Sequence, residues 1–206
     1  ACSNLRFSIA LSNGAISNIN DIGWIHKNND SFNADDKELL TAAYTFTFLR
    51  NPFKRLLSAF IDKICHQTKE PADLSYSQAK ATFNTDENTS FEEFVDYLWR
   101  NPEKLKMDVH TCPQSDFLVY KKYDDYFALE QYDYGVSQIK EKTGILIQDT
   151  RDKNSIFTTK NCKKSELILP STPANKIENF LREKQQPIPK LMYTNEMIAK
   201  VTTLYL

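Results

Sequence analysis

Apolar positions along the chain follow two different periods, and the switch between them locates the main elements. Tyr44 to Leu49 alternates large apolar residues with threonine (YTFTFL), the period-two pattern of a strand. The run stops at Arg50-Asn51-Pro52, where Asn51 suits a helix N-cap and Pro52 the first helical position. Phe53, Leu56, Leu57, Phe60, Ile61 and Ile64 then recur at helical spacing and form one apolar stripe. Asn51, Arg55, Ser58 and Asp62 fall on the opposite, polar face. A second amphipathic helix is predicted from Ser90, a capping residue, with Glu92 and Glu93 in its first turn and Phe91, Phe94, Val95 and Leu98 facing inward. Asn101-Pro102 ends it.

Weaker patterns fill the rest. Residues 4–13 read as a short helix closed by Gly14, with Leu5, Ile9 and Phe7 toward a core. A polar loop is expected over 17–34, containing Trp24, Ile25 and His26, then a surface helix over 35–43. Residues 66–89 read as a polar excursion, 108–114 as a loop and 115–120 as a turn of helix. Tyr126 to Leu129 is a short buried strand ending at Glu130, and Gly135 to Thr143 a helix stopped by Gly144. Residues 149–170 are charged and irregular, and helices are predicted from Pro173 to Lys184 and from Asn195 onward. Strands alternate with helices, so the class is α/β.

Composition narrows the function. The chain has 206 residues, 41% of them hydrophobic and 12% aromatic, enough for the core of one domain. Only 4 are glycine, which argues against a glycine-rich dinucleotide site. The net charge of −1 implies no general attraction to nucleic acid or to an anionic membrane. Mean hydropathy is −0.53 and no apolar run reaches the ~18 residues of a membrane span. Cys2, Cys65, Cys112 and Cys162 are scattered, with no Cys/His pair at metal-ligand spacing, so no metal site is expected; the even count permits two disulfides without requiring them, and free thiols are the plainer reading.

The chemistry centres on the strand-to-helix junction. In open α/β sheets that edge is where ligands bind. Arg50 there and Ser58 on the polar face of the following helix can both donate to one phosphate, the arginine as a fork. On the residues alone, an arginine paired with a surface carboxylate and a solvated serine stays open beside this.

Phe46 to Ile64 (FTFLRNPFKRLLSAFIDKI) resembles the 3′-phosphate-binding segment of sulfotransferases that use 3′-phosphoadenosine 5′-phosphosulfate (PAPS). The pattern is most similar to the carbohydrate branch, the Golgi-type and heparan/chondroitin-like enzymes. The resemblance implies the P-loop-NTPase-like sulfotransferase fold, a central parallel sheet flanked by helices. It implies PAPS as cosubstrate, no metal, and Arg50 and Ser58 on the 3′-phosphate. Arg55 matches a recurrent family arginine, read here as structural. Ala1 to Ile9 (ACSNLRFSI) is similar to the second half of the family's 5′-phosphosulfate loop, with Cys2, Ser3 and Asn4 as loop members and Arg6 a nearby cation. The family's Pro-Lys pair would fall just before Ala1, and the first strand before that. The match beginning in mid-motif implies a domain over 1–206 trimmed at one or both ends.

A third stretch carries the resemblance to about residue 135. Phe91-Glu92-Glu93-Phe94-Val95, Tyr97-Leu98, Asp108-x-His110, Tyr123-Asp124 and Leu129-Glu130 follow the family's order, with an echo from Val201 to Tyr205. Thr111 stands where the family has tryptophan, and its Cys-x-Pro-Cys pair is missing, which points toward a bacterial cytosolic setting over a Golgi lumen. Sulfuryl transfer needs a base for the acceptor hydroxyl, and histidine suits that role. His26 lies in the interval where heparan-type relatives carry their base and is the first candidate, His110 the second and Glu130 a third; His66 reads as surface. A slightly acidic chain suits a weakly charged saccharide or a small hydroxylated acceptor. The alternative is a non-catalytic nucleotide- or saccharide-binding module on the same fold. A P-loop kinase lacks its GxxxxGK[ST] here.

Overall fold

The computed structural model describes residues 2–65, 74–150 and 162–205, with only the backbone given for Cys2 and 74–76. His66 and much of the charged 149–170 stretch lie outside the described residues. The chain is mixed α/β and mostly helical. It divides into two compact units, each built from two separate stretches.

The first unit comprises Ala1–Arg50 and Val119–Thr158. Its strands are β1 (Phe46–Leu49) and β2 (Asp125–Ala128), paired parallel with Phe46 opposite Asp125 and Phe48 opposite Phe127. A parallel pair needs a long crossover, and here the crossover is the sequence between Leu49 and Asp125. The alternation read in the sequence is real. Phe46 and Phe48 share a face with Phe127 and meet Ile139, Val136 and Tyr132 of a helix after β2. That helix spans Tyr132–Thr143 and ends on Gly144, whose φ of 74° is the left-handed conformation glycine tolerates. Gly135 lets it approach the sheet. A Cβ there would lie 2.7 Å from a Phe48 ring carbon and 3.0 Å from Phe127. Gly135→Ala is therefore expected to destabilise the protein by about 1–3 kcal/mol through overpacking, measured as a shift in the chemical-denaturation midpoint. If the midpoint does not fall, the close approach is not a constraint.

The N-terminal helix α1 (Cys2–Ser12) runs to a turn at Gly14, with φ 73°. Phe7 and Ala10 are its buried apolar residues, packed with Ile16 and Ile25, whereas Ile9 is half-buried and Leu5 joins the sheet-side cluster. The expected polar loop at 17–34 is instead a chain of short helical turns, including α2 (Trp24–Lys27). Asn18 caps the first of these through a reciprocal hydrogen-bond box with Asp21, which supplies the order that hydrophobic periodicity alone does not predict. The surface helix α3 spans Asp36–Thr41 and is capped by Asp35 in the same way.

The second unit comprises Asn51–Leu118 and Thr159–Leu206 and holds the largest core. α4 (Pro52–Phe60) is capped by Asn51, whose Oδ1 accepts the Lys54 N–H at 3.2 Å, and continues as a π-helical turn over Ile61–Cys65. The predicted polar excursion contains a helix, α5 (Leu74–Phe83), which buries Ala79 and Phe83. α6 (Phe91–Arg100) is capped by Ser90 as predicted, in a reciprocal box: the Ser90 side chain takes the Glu93 N–H while Glu93 takes the Ser90 N–H. With the Tyr132–Thr143 helix numbered α7, the last two helices are α8 (Ala174–Arg182) and α9 (Asn195–Tyr205). The Phe60 ring centroid lies 5.3 Å from that of Phe91 and 5.4 Å from that of Phe94, both tilted contacts, within this core. A second parallel pair, β3 (Lys163–Ser165) with β4 (Gln185–Pro187), lies in the same unit. Where one central sheet is expected, the described residues hold two separate two-stranded parallel pairs. Among those residues no helix is long and apolar enough to cross a membrane.

Candidate active site

The two units are described separately. In the first, Arg50 follows β1 directly and is half-buried. Asn4 and Arg6 lie on α1. Asn4 is 4% exposed and its amide is fully used. Its nitrogen donates to Tyr132 Oη at 3.1 Å, and its oxygen accepts from the Thr150 hydroxyl at 2.7 Å and the Thr150 N–H at 3.2 Å. Ser8, one turn on, accepts the Gln148 N–H at 2.8 Å. A buried amide must be satisfied, and Asn4 is satisfied by fastening the start of α1 to the segment after α7. Arg6 donates to Asn29 Oδ1 at 2.5 Å and lies 5.3 Å above the Phe32 ring. Ser3 is half-buried on the first turn of α1. The structure thus puts Ser3, Asn4 and Arg6 on one helix, with Asn4 and Arg6 engaged by neighbouring segments.

His26 is exposed on α2. An open groove of about 620 Å³ lies along this region, lined by Ile16, Asp21, Trp24 and Lys27 among others, and His26 is not among its walls. Glu130, also exposed, sits in a short turn after β2.

In the second unit, Ser58 is half-buried on α4. His110 is part of a built arrangement. One oxygen of Asp108, Oδ1, receives the His110 backbone N–H at 2.7 Å and lies 2.8 Å from its ring Nδ1. The backbone bond is an Asx turn, in which a carboxylate folds the chain back two residues on. The ring contact fixes the imidazole. With Nδ1–H donated to the carboxylate, Nε2 keeps its lone pair. Burial pushes the Asp108 carboxyl up, but hydrogen bonds from His110, its charge and that of Lys63 outweigh it and hold the carboxyl below the ordinary range. Asp108 therefore stays an acceptor at neutral pH. The His110 side chain is 43% exposed and Asp108 19%, so the orienting group is sheltered and the ring is accessible.

The loop carrying this pair is held from several sides. Thr111, 1% exposed, donates from Oγ1 to Leu105 O at 2.9 Å and to Asp108 O at 3.1 Å. The residue that departs from the family pattern is thus an internal brace. Arg55 of α4 donates to the carbonyls of Val109, at 2.7 Å, and Cys112. Tyr205 of α9 donates to Thr111 O at 2.6 Å. The Cys112 thiol is pushed up by burial and by the neighbouring Asp116, which favours its protonated form at neutral pH. Cys65, Cys112 and Cys162 are free thiols. Arg55, read from the sequence as structural, braces this loop, and the contacts of Asp108 and Tyr205 with it were not assigned from the sequence. The two-residue spacing of Asp108 and His110 was the available signal for Asp108.

A carboxylate-oriented imidazole on an exposed side chain has the chemistry to accept a proton. The chain belongs to the sulfotransferase family, whose sequence profile matches residues 9–205. The matched span includes His26, Arg50, Ser58, Asp108, His110 and Glu130 and begins at Ile9, the last residue of the segment likened to the phosphosulfate loop. No curated protein and no solved structure matches the chain.

Proposed function

We propose that the protein transfers the sulfuryl group of PAPS to a hydroxyl of a carbohydrate or small hydroxylated acceptor, with His110 as general base. Family membership supports sulfuryl transfer. The observation that carries the assignment of the base is the Asp108–His110 pair, with its 2.8 Å ring contact. It favours His110 over His26, for which no comparable orienting group is found among the described residues. In the proposed step the acceptor oxygen forms a bond to sulfur while the bond from sulfur to the donor's phosphate oxygen breaks. The leaving adenosine 3′,5′-bisphosphate takes that electron pair, and the acceptor proton passes to His110 Nε2. Orientation and charge stabilisation supply most of the catalysis in such a displacement.

The proposal includes the P-loop-related sulfotransferase fold, with β1 and β2 as part of its parallel sheet. Arg50 and Ser58 are assigned to the 3′-phosphate, and Ser3 with the start of α1 to the phosphosulfate, by the resemblance. Asn4 and Arg6 serve that region by fixing α1, given the contacts they make. The acceptor reading draws on the net charge of −1, which lacks the excess cation a heavily sulfated polymer would call for. Met107 and Val109, 62% and 64% exposed, flank Asp108 in sequence and offer apolar surface of the kind that meets the C–H face of a sugar ring.

The test is calorimetric. Arg50→Ala is expected to weaken adenosine 3′,5′-bisphosphate by about 1.5–3 kcal/mol, the worth of a charge-assisted contact. Adenosine 5′-phosphate should lose far less. Equal losses for the two ligands would sink the assignment of Arg50. A folded protein that binds the bisphosphate but never transfers sulfate to any hydroxyl would instead be the binding module.

A further inference from the structure

We propose that Arg55 and Tyr205 are positioning residues for His110, holding the loop that carries it so that the ring stays seated on Asp108. The inference rests on the proposed role of His110. Its basis is how the loop is anchored. Residues 108–112 belong to no regular helix or strand. A loop in that state would let an exposed ring sample many orientations. Three external contacts remove that freedom. Arg55 spans the histidine, one guanidinium nitrogen on the carbonyl of Val109 before it and the other on Cys112 after it. Tyr205 bonds the carbonyl of Thr111, between those two points. Consecutive carbonyls on the C-terminal side of His110 are therefore pinned by side chains from two different helices.

The choice of residue types follows from the geometry. A planar fork presents two separate nitrogens to the two carbonyls in fixed geometry, whereas a lysine ammonium is one compact centre that does not reproduce that spacing. The tyrosine body packs against the main core and its hydroxyl is free to bond the loop. This also explains why the last helix of the chain carries part of the sequence resemblance, from Val201 to Tyr205: Val201 is fully buried and anchors the helix that presents the hydroxyl.

Arg55→Lys and Tyr205→Phe keep, respectively, the charge and the ring, so both are expected to fold. In each, kcat should fall by about tenfold to a hundredfold, the scale of a misplaced reacting group, while KM for PAPS stays within about twofold. The 15N shifts of the His110 ring report the same change without turnover. In the parent protein they should show the Nδ1–H tautomer, and in the variants they should move toward the tautomer mixture of a free imidazole. Unchanged shifts in both variants overturn the proposal whatever happens to kcat, since lost activity would then arise elsewhere. If His110→Ala keeps full turnover while the variants still shift the ring signals, the positioning stands and the role of His110 as base fails.

Discussion

Replacing His110 with alanine is expected to lower kcat by about 10²- to 10⁴-fold, the usual contribution of a positioned general base. Binding of adenosine 3′,5′-bisphosphate should be unchanged, because the proposed contribution of His110 is to the transferred proton. Asp108→Asn should give a smaller loss of the same kind. The amide can still meet the ring, but as a neutral partner it no longer favours the imidazolium formed when the proton arrives. Comparing initial rates for both variants under saturating PAPS checks this. If His110→Ala turns over normally and His26→Ala does not, the base lies on α2 and the Asp108–His110 pair is only a loop brace.

Phe60→Ala is expected to cost about 3–5 kcal/mol, measured by urea unfolding. Phe60 is fully buried and its ring contacts both Phe91 and Phe94 of α6. Phe94 in turn meets Phe83 of α5 at 5.4 Å, and Phe91 meets Tyr193 at 5.1 Å. Removing the central ring leaves a cavity against Phe91 and Phe94 of α6, which Phe83 and Tyr193 back from behind, and rings that large cannot relax inward without leaving their own rotamers. Phe60→Leu fills most of the space and should cost much less. A loss below about 1 kcal/mol for the alanine variant would mean the site collapses, against the packing described.

What the sequence made legible was whatever short-range chemistry decides. β1, α4 and α6 each carry a strong period together with an end signal, Asn51-Pro52 or Ser90 with Glu93. The two glycine stops at Gly14 and Gly144 are equally local. α5 was missed because its polar and apolar residues do not separate onto clear faces; it is held by burying Ala79 and Phe83 in a core assembled from elsewhere. β3 and β4 were missed for a related reason. Each is three residues long with little apolar character, and their ladder depends on segments about twenty residues apart in the chain. α1 was placed correctly, but its buried stripe is set by Phe7 and Ala10, with Asn4 and Ser8 buried beside them as polar ties that an apolar pattern cannot report.

The site divides along the same line. Asp108 and His110 are two residues apart, so the motif could be seen. The arginine and tyrosine that restrain them are 54 and 94 residues away from the carbonyls they bond, and no local pattern announces such contacts. The resemblance had marked both places, Arg55 within the α4 segment, read as structural, and Tyr205 within the last helix, without saying what either holds.

The hydrogen bonds between Asn4 and Thr150 have a consequence for synthesis on the ribosome. Their partners are 146 residues apart, and β1 likewise waits for β2. At the usual translation rate of about 5–20 residues per second, roughly 7 to 30 s pass between the emergence of α1 and that of its partner. For about 4 to 16 s of that interval, from the emergence of Phe48 to that of its partner Phe127, the nascent chain displays Phe46 and Phe48 on an unpaired strand. A chaperone that grips extended aromatic segments has its opportunity then, and slowing elongation between residues 50 and 125 would lengthen it.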